Sequence, residues 1–348
     1  MAFPQSRPRR LRQSPAMREL VAEVRLGVKD LVAPLFVREG ISSAQPITSL
    51  PGVVQHTLDS LRSEVVQLAE LGVPAVILFG IPSVKDEVGS GAFDPAGIVQ
   101  VALRELQKEV GNDMVLMSDL CVDEYTSHGH CGVLNKHGDV DNDATLDIYC
   151  RAALAQATAG AHVVAPSGMM DGQVGAIRSA LDGAGFSDVA IMAYSAKYAS
   201  GLYGPFRDAV DVQIQGGGNR KGYQQDWRNA REALREVHAD IEQGADIVMV
   251  KPALSYLDVI SAVRAQVDVP VDVYVEGPDD FGGPVRHYEV PDLVRVAAPI
   301  YLKFTVRNSP GLYPSGTHIQ GVVESTARER VRRAAIGYSM LTRYGFEK

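Results

Sequence analysis

Two lysines close two apolar β-type runs: Lys197 ends Ile191-Met-Ala-Tyr-Ser-Ala-Lys197, and Lys251 ends Ile247-Val-Met-Val-Lys251. A lysine at the end of a buried strand projects into a partly dry mouth, where lost hydration disfavours its charged form. Lowering its pKa from about 10.4 to near 7 takes roughly 3 units, or about 4 kcal/mol. Burial and a second nearby ammonium together can supply that. The product is a neutral amine able to attack a ketone and form a Schiff base. One strand-end lysine is ordinarily a solvent anchor; two in matching settings point to chemistry. Asp119 ends a third run, Met114-Val-Leu-Met-Ser-Asp119, and offers a carboxylate for proton transfer.

Beyond Asp119 the chain reads Leu120-Cys121-Val122-Asp123-Glu124-Tyr125-Thr126-Ser127-His128-Gly129-His130-Cys131. Cys121, Asp123 and Cys131 are three metal-ligand types on one loop, and thiolates select zinc among the common metals. Three protein ligands with an open fourth position suit a catalytic ion rather than a structural one. Cys150 falls in a helical pattern and reads as packing. Between the two lysines lie Arg207 and a glycine-rich stretch, Gly216-Gly-Gly-Asn219-Arg220-Lys221. Arg207, Arg220 and Lys221 could clamp a carboxylate, with the glycines as the hinge of a lid; the bland alternative is a solvated basic loop.

The elements that must position these groups alternate between short β runs and amphipathic helices. Strands are expected at 31–37, 74–79, 114–119, 162–166, 189–197, 246–251 and 271–275, with an eighth at 299–304. Helices are expected at 58–71, 98–110, 143–159 (capped by Asn142 or Asp143), 173–184, 227–242 and 257–267, and a polar loop carries Gly40 and Pro46. Continuous apolar strands are buried on both faces, as in parallel sheets covered by helices. Eight of them predict an α/β fold, a (β/α)8 TIM barrel, in which chemistry sits at the C-terminal strand ends. No dinucleotide glycine fingerprint follows the first strand, which counts against a Rossmann sheet. The organisation expected is an arginine-rich N-terminal arm over 1–30, packing on a neighbouring subunit, and one barrel over 31–348.

Of the residues, 46% are hydrophobic and 22% charged, with a formal net charge of −8. That balance argues against nucleic acid as a partner, and apolar runs far short of ~18 residues argue against a membrane span. Three cysteines make no disulfide framework, so a reducing cytoplasm is the expected location.

The motifs Arg9-Arg-Leu-Arg12, Pro34-Leu-Phe-Val37, Tyr125-Thr-Ser-His-Gly-His130, Met169-Met-Asp-Gly172, Tyr194-Ser-Ala-Lys-Tyr-Ala-Ser200, Tyr203-Gly-Pro-Phe-Arg-Asp208, Arg231-Glu-Ala-Leu-Arg-Glu236 and Val248-Met-Val-Lys-Pro-Ala253 carry a resemblance. Over roughly residues 7 to 265 the chain resembles the porphobilinogen synthase (5-aminolevulinate dehydratase) family. The resemblance implies a TIM-barrel lyase that joins two 5-aminolevulinate molecules into a pyrrole with loss of two waters, in tetrapyrrole and heme biosynthesis. It implies that Lys251 forms the Schiff base with the first substrate molecule and Lys197 binds the second. Asp119 matches an active-site carboxylate, and Arg207, Arg220 and Gln224 match the second molecule's carboxylate site. Zinc at Cys121, Asp123 and Cys131 is implied in modified form, because zinc-type members carry a third cysteine where this chain has Asp123. Glu236 matches a position that serves an allosteric magnesium between subunits in some members. A homo-octamer or other homo-oligomer that exchanges N-terminal arms is implied as well.

Besides Asp123, the chain departs from the family pattern in four places. Gly168 stands where an aspartate is usual, which weakens the magnesium reading at Glu236, and Asn219 replaces an aspartate in the lid. After Val271 the chain reads Tyr274-Val-Glu276-Gly-Pro-Asp-Asp280 where the family shows a serine that helps hold the first substrate's carboxylate. An anion at Glu276 would repel that carboxylate by about 4 kcal/mol at ~4 Å and an effective dielectric near 20. Residues 276–348 diverge, leaving the final strand and the family's tyrosine to either 300–305 or 341–344. Two alternatives follow: a paralogue that condenses 5-aminolevulinate with a different amino ketone, and a non-catalytic barrel.

Overall fold

The computed structural model describes residues 3–23, 26–215 and 218–275, together with the backbone of Ile300–Phe304. In chain order the strands are β1 (Leu31–Arg38), β2 (Gln45–Pro46), β3 (Val54–His56), β4 (Ala75–Ile81), β5 (Val115–Leu120), β6 (Val163–Pro166), β7 (Ala190–Lys197), β8 (Ile247–Lys251), β9 (Val271–Val275) and β10 (Ile300–Phe304). Hydrogen bonding runs β10-β9-β8-β7-β6-β5-β4-β1, and β10 returns to β1, so eight strands close into a barrel. The short pair β2–β3 hangs on β1 where only a polar loop was expected.

From β1 to β9 the barrel pairs are parallel. The expected eighth strand is present, but β10 runs antiparallel to both β9 and β1. This corrects the uniformly parallel ring. A short apolar run signals burial and carries no information about direction.

Alternation along each strand sorts the core into two layers. On β4, Ala75, Ile77, Phe79 and Ile81 point into the barrel, where Phe36, Met117, Met192, Met249 and Tyr274 join them. Val76 and Leu78 point outward and pack with the helices. The helices are α1 (Pro15–Leu20), α2 (Leu58–Glu70), α3 (Ile98–Val110), α4 (Asn142–Thr158), α5 (Gln173–Gly183), α6 (Gly204–Ala209), α7 (Ala230–Glu242) and α8 (Leu257–Arg264). Thr57 caps α2 by accepting from the Ser60 amide, and Leu61, Val65 and Leu68 form its buried stripe. Asp141 caps α4 by accepting from Ala144, one residue before Asn142 and two before Asp143, the expected caps. The helix expected from Trp227 starts instead at Ala230 and leaves Trp227 70% exposed. No helix among the described residues is long and apolar enough to cross a membrane.

Within residues 3–23, a 3-10 turn at Pro8–Arg12 and helix α1 bury none of their side chains. The protein interior therefore begins near Leu26.

Candidate active site and metal loop

Lys197 and Lys251 are register partners on adjacent strands β7 and β8. Lys251 reaches the barrel interior by plain alternation behind Met249. Lys197 reaches it by a different route. Tyr194 and Lys197 are three residues apart, so in a regular strand they would face opposite sides. Between Ala193 and Ala196 β7 carries one residue more than β8, a β-bulge that brings both inward.

The lysines are only 6% and 2% exposed. The Lys251 ammonium sits 3.6 Å from the centroid of Tyr274, 4.2 Å from Phe206, 5.3 Å from Tyr203 and 5.7 Å from Tyr194. Lys197 lies 5.3 Å from the same Tyr194 ring and donates to the Ser167 carbonyl at 2.6 Å. Ser167 in turn donates from Oγ to Asp119 Oδ2 at 3.2 Å. Asp119 is buried, its carbonyl accepts from Gln156 of α4 at 2.8 Å, and its Oδ1 has no hydrogen-bond partner among the described residues. Burial pushes the Asp119 carboxyl up to about 6, with Lys197 pulling down and Asp123 pushing up. This carboxylate can exchange a proton near neutral pH.

Cys121, Asp123 and Cys131 come together as expected. Their ligand atoms lie within 4.8 Å of one another and all three residues are buried. Burial drives the Cys121 thiol well up. In Cys131 the hydrogen bond from Cys121 and the charge of Arg220 overcome burial and hold the thiol below its usual value. Two soft sulfurs and one carboxylate in a closed pocket fit a zinc-sized cation. Tyr149 backs the loop: its hydroxyl donates to the Cys131 carbonyl at 2.6 Å and lies 3.6 Å from Cys121 Sγ. Gly168 is where this tyrosine needs room, since a Cβ there would meet the hydroxyl at 1.6 Å. The departure at Gly168 is thus a packing partner of Tyr149.

The residues expected to clamp a carboxylate share one cleft. Arg207, Arg220, Lys221 and Gln224 line a cleft of about 530 Å³ that begins at Ala199, two residues past Lys197. Arg220 Nε and Gln224 Nε2 are buried without partners among the described residues. Lys221 is exposed and Arg207 partly so. Arg220 does not point only into the cleft: it donates to Asp123 Oδ2 at 2.7 Å and to the Gly129 carbonyl at 2.9 Å. Against the upward push of burial, Arg220 and then Lys197 hold the Asp123 carboxyl well below the usual carboxylate range.

Glu236 lies on α7, away from these groups. Burial raises its carboxyl, and Asp171 and Glu232 push it further in the same direction. Among the described residues the Cys121–Asp123–Cys131 group is the one with three converging ligands; Glu236 joins none. Glu276 and residues 341–344 lie outside the described residues.

The sequence reading missed Ser167, which ties Lys197 to Asp119, and the aromatic walls Tyr194, Tyr203, Phe206 and Tyr274. The alternation Met249/Lys251 and Asp272/Tyr274 held a signal for Tyr274. Phe206 comes from a loop helix, and its signal was its place in the motif Tyr203-Gly-Pro-Phe-Arg-Asp208.

The fold and the site define the class: an α/β-barrel enzyme with buried ionisable groups gathered at the C-terminal rim. The sequence profile of the delta-aminolevulinic acid dehydratase family matches residues 5–277, and the chain belongs to that family of lyases. It is 57% identical over 275 residues to the delta-aminolevulinic acid dehydratase of Streptomyces coelicolor, covering 78% of this chain and 83% of the relative. Identity to the Mycobacterium tuberculosis enzyme is 56% over the same length and the same shares. The crystal structure of delta-aminolevulinic acid dehydratase (porphobilinogen synthase) from Toxoplasma gondii ME49, in complex with the reaction product porphobilinogen, is 41% identical. It superposes with a TM-score of 0.75 over 78% of this chain and 77% of its own.

Proposed function

We propose that this protein is a porphobilinogen synthase that condenses two molecules of 5-aminolevulinate into a pyrrole, with loss of two waters. The observation that carries the reading is the register pair Lys197–Lys251, buried side by side with Asp119 one serine away. The Lys251 amine attacks the ketone of the first substrate molecule; its carbonyl oxygen leaves as water and an imine remains. Lys197 holds the second molecule by the same chemistry. Asp119, ionised, accepts a proton as the new bond forms. Arg207, Arg220, Lys221 and Gln224 receive the second molecule's carboxylate, and Arg220 Nε and Gln224 Nε2 are the buried donors that support this. Attack of one molecule's amine on the other's imine forms the C–N bond and expels that lysine, and elimination across the new C–C bond expels the other.

Cys121, Asp123 and Cys131 would hold a zinc ion, which when bound supplies a Lewis acid beside the second substrate. Glu236 is proposed as a subunit-boundary magnesium residue; among the described residues it joins no group of three converging ligands. The arm over 1–30, which exposes Phe3, Leu11 and Leu20, is proposed to pack on a neighbouring subunit of a homo-oligomer in the cytoplasm, with 31–348 forming the barrel. The paralogue reading depends on Glu276; the family match across residues 5–277 favours the synthase.

Borohydride trapping with 5-aminolevulinate, followed by peptide mass spectrometry and a pyrrole assay, tests the proposal. A label on Lys251 with porphobilinogen released is the expected result. An imine without pyrrole would mean that the first-substrate pocket takes another ketone.

A further inference from the structure

The metal loop and the lid are stitched into one unit. Arg220 bridges Asp123 and the Gly129 carbonyl. Tyr223 places its hydroxyl 3.2 Å from His130 Nδ1 and 3.4 Å from the Cys131 amide. Gln215 donates from its side chain to the Ser127 carbonyl at 2.7 Å and from its amide to the His128 carbonyl at 3.2 Å. Gly129 is left-handed (φ 73°), and a Cβ there would meet the Gln213 carbonyl at 2.4 Å, so the two segments touch backbone to backbone.

Within this unit one residue faces two ways. Asp123 is counted with the sulfurs of Cys121 and Cys131 in the metal group. The same carboxylate is paired with Arg220, both side chains 5–6% exposed. A cation among the sulfurs draws on Asp123's charge and loosens its hold on Arg220. A ligand carboxylate in the cleft draws on Arg220 and loosens its hold on Asp123. Each event removes the competitor of the other.

We propose that Asp123 is a latch as well as a metal ligand, and that through the Asp123–Arg220 pair metal binding and carboxylate capture favour one another. The proposal rests on the functional reading above for what occupies the cleft. Because linkage between two binding sites is reciprocal, each ligand tightens the other by the same factor.

The test uses the full chain stripped of metal and titrated with Co²⁺, read by the thiolate-to-cobalt absorption. Titrations run with and without saturating levulinate, a γ-keto carboxylate that lacks the amine. Levulinate should tighten Co²⁺ about tenfold, and Co²⁺ should tighten levulinate equally. In Arg220→Gln, Co²⁺ should bind more tightly than in wild type without levulinate, and levulinate should leave that affinity unmoved. A wild-type Co²⁺ affinity indifferent to bound levulinate overturns the latch, whether or not the variant folds. Linkage that survives in Arg220→Gln also overturns it, because the ligands would then be meeting directly. Borohydride trapping of levulinate in the same samples separates the two readings. A lost Lys197 label with linkage intact sinks the imine assignment at the second-molecule site and spares the latch; a Lys197 label without linkage does the reverse.

Discussion

The lysine pair and the Asp123–Arg220 pair sit on the same barrel rim and are buried to nearly the same degree, yet they are built oppositely. Around Lys251 the walls include four aromatic rings, whose faces lie against the ammonium. Around Arg220 the partners are a carboxylate and a carbonyl at hydrogen-bonding distance, which fix the guanidinium and set an opposite charge against it. The first arrangement encloses an amine among ring faces in a buried site. The second makes a charge permanent and aims it. A barrel rim can hold both because strand ends supply the lysines while the loops beyond the strands supply Asp123 and Arg220.

Four predictions break or sharpen this contrast. Lys251→Ala should abolish pyrrole formation, a loss of several orders of magnitude in kcat, while circular dichroism stays native; activity close to wild type would remove Lys251 from the chemistry. Asp119→Asn should lower kcat by about 10²–10⁴-fold. In wild type, kcat should rise with pH through about 6, where Asp119 gives up its proton, because a base works only when ionised. The variant should lack that limb, and a limb that persists would assign it elsewhere.

On the polar side, Asp123→Ala leaves Arg220 buried without its counter-charge. Denaturant unfolding should show a loss of about 3–5 kcal/mol, whereas a neutral result would mean that Arg220 swings out to water. The smallest effect is expected at Tyr149→Phe, which removes the donor to the Cys131 carbonyl and should cost about 1–3 kcal/mol. Borohydride labelling of Lys251 should be unchanged in that variant. Lost labelling would show that the metal loop and the lysines are one structure rather than two.

Much of the site was legible in the chain because strand ends are readable. Lys197, Lys251 and Asp119 each terminate a β-type run, and a closed barrel collects such ends at one rim. The Cys121–Asp123–Cys131 group was legible because all three residues belong to one loop. Partnerships across long stretches of chain were not. Arg220 and Asp123 were assigned to different tasks, a cleft and a metal, and the fold joins them over 97 positions.

By itself the sequence determined the barrel's strands and helices, the residue types at the rim and the family. These follow from local alternation, helical periodicity and short motifs, each complete within a dozen residues. Only the tertiary structure decided which way those residues face. The spacing of Tyr194 and Lys197 puts them on opposite sides of an ideal strand, and the extra residue in β7 against β8 turns both inward. Direction is likewise invisible in the run Ile300–Phe304, which pairs antiparallel with β9 and β1. The physical reason is common to both cases: a strand's register and sense are set by hydrogen bonds to its neighbours, and those neighbours are distant in sequence.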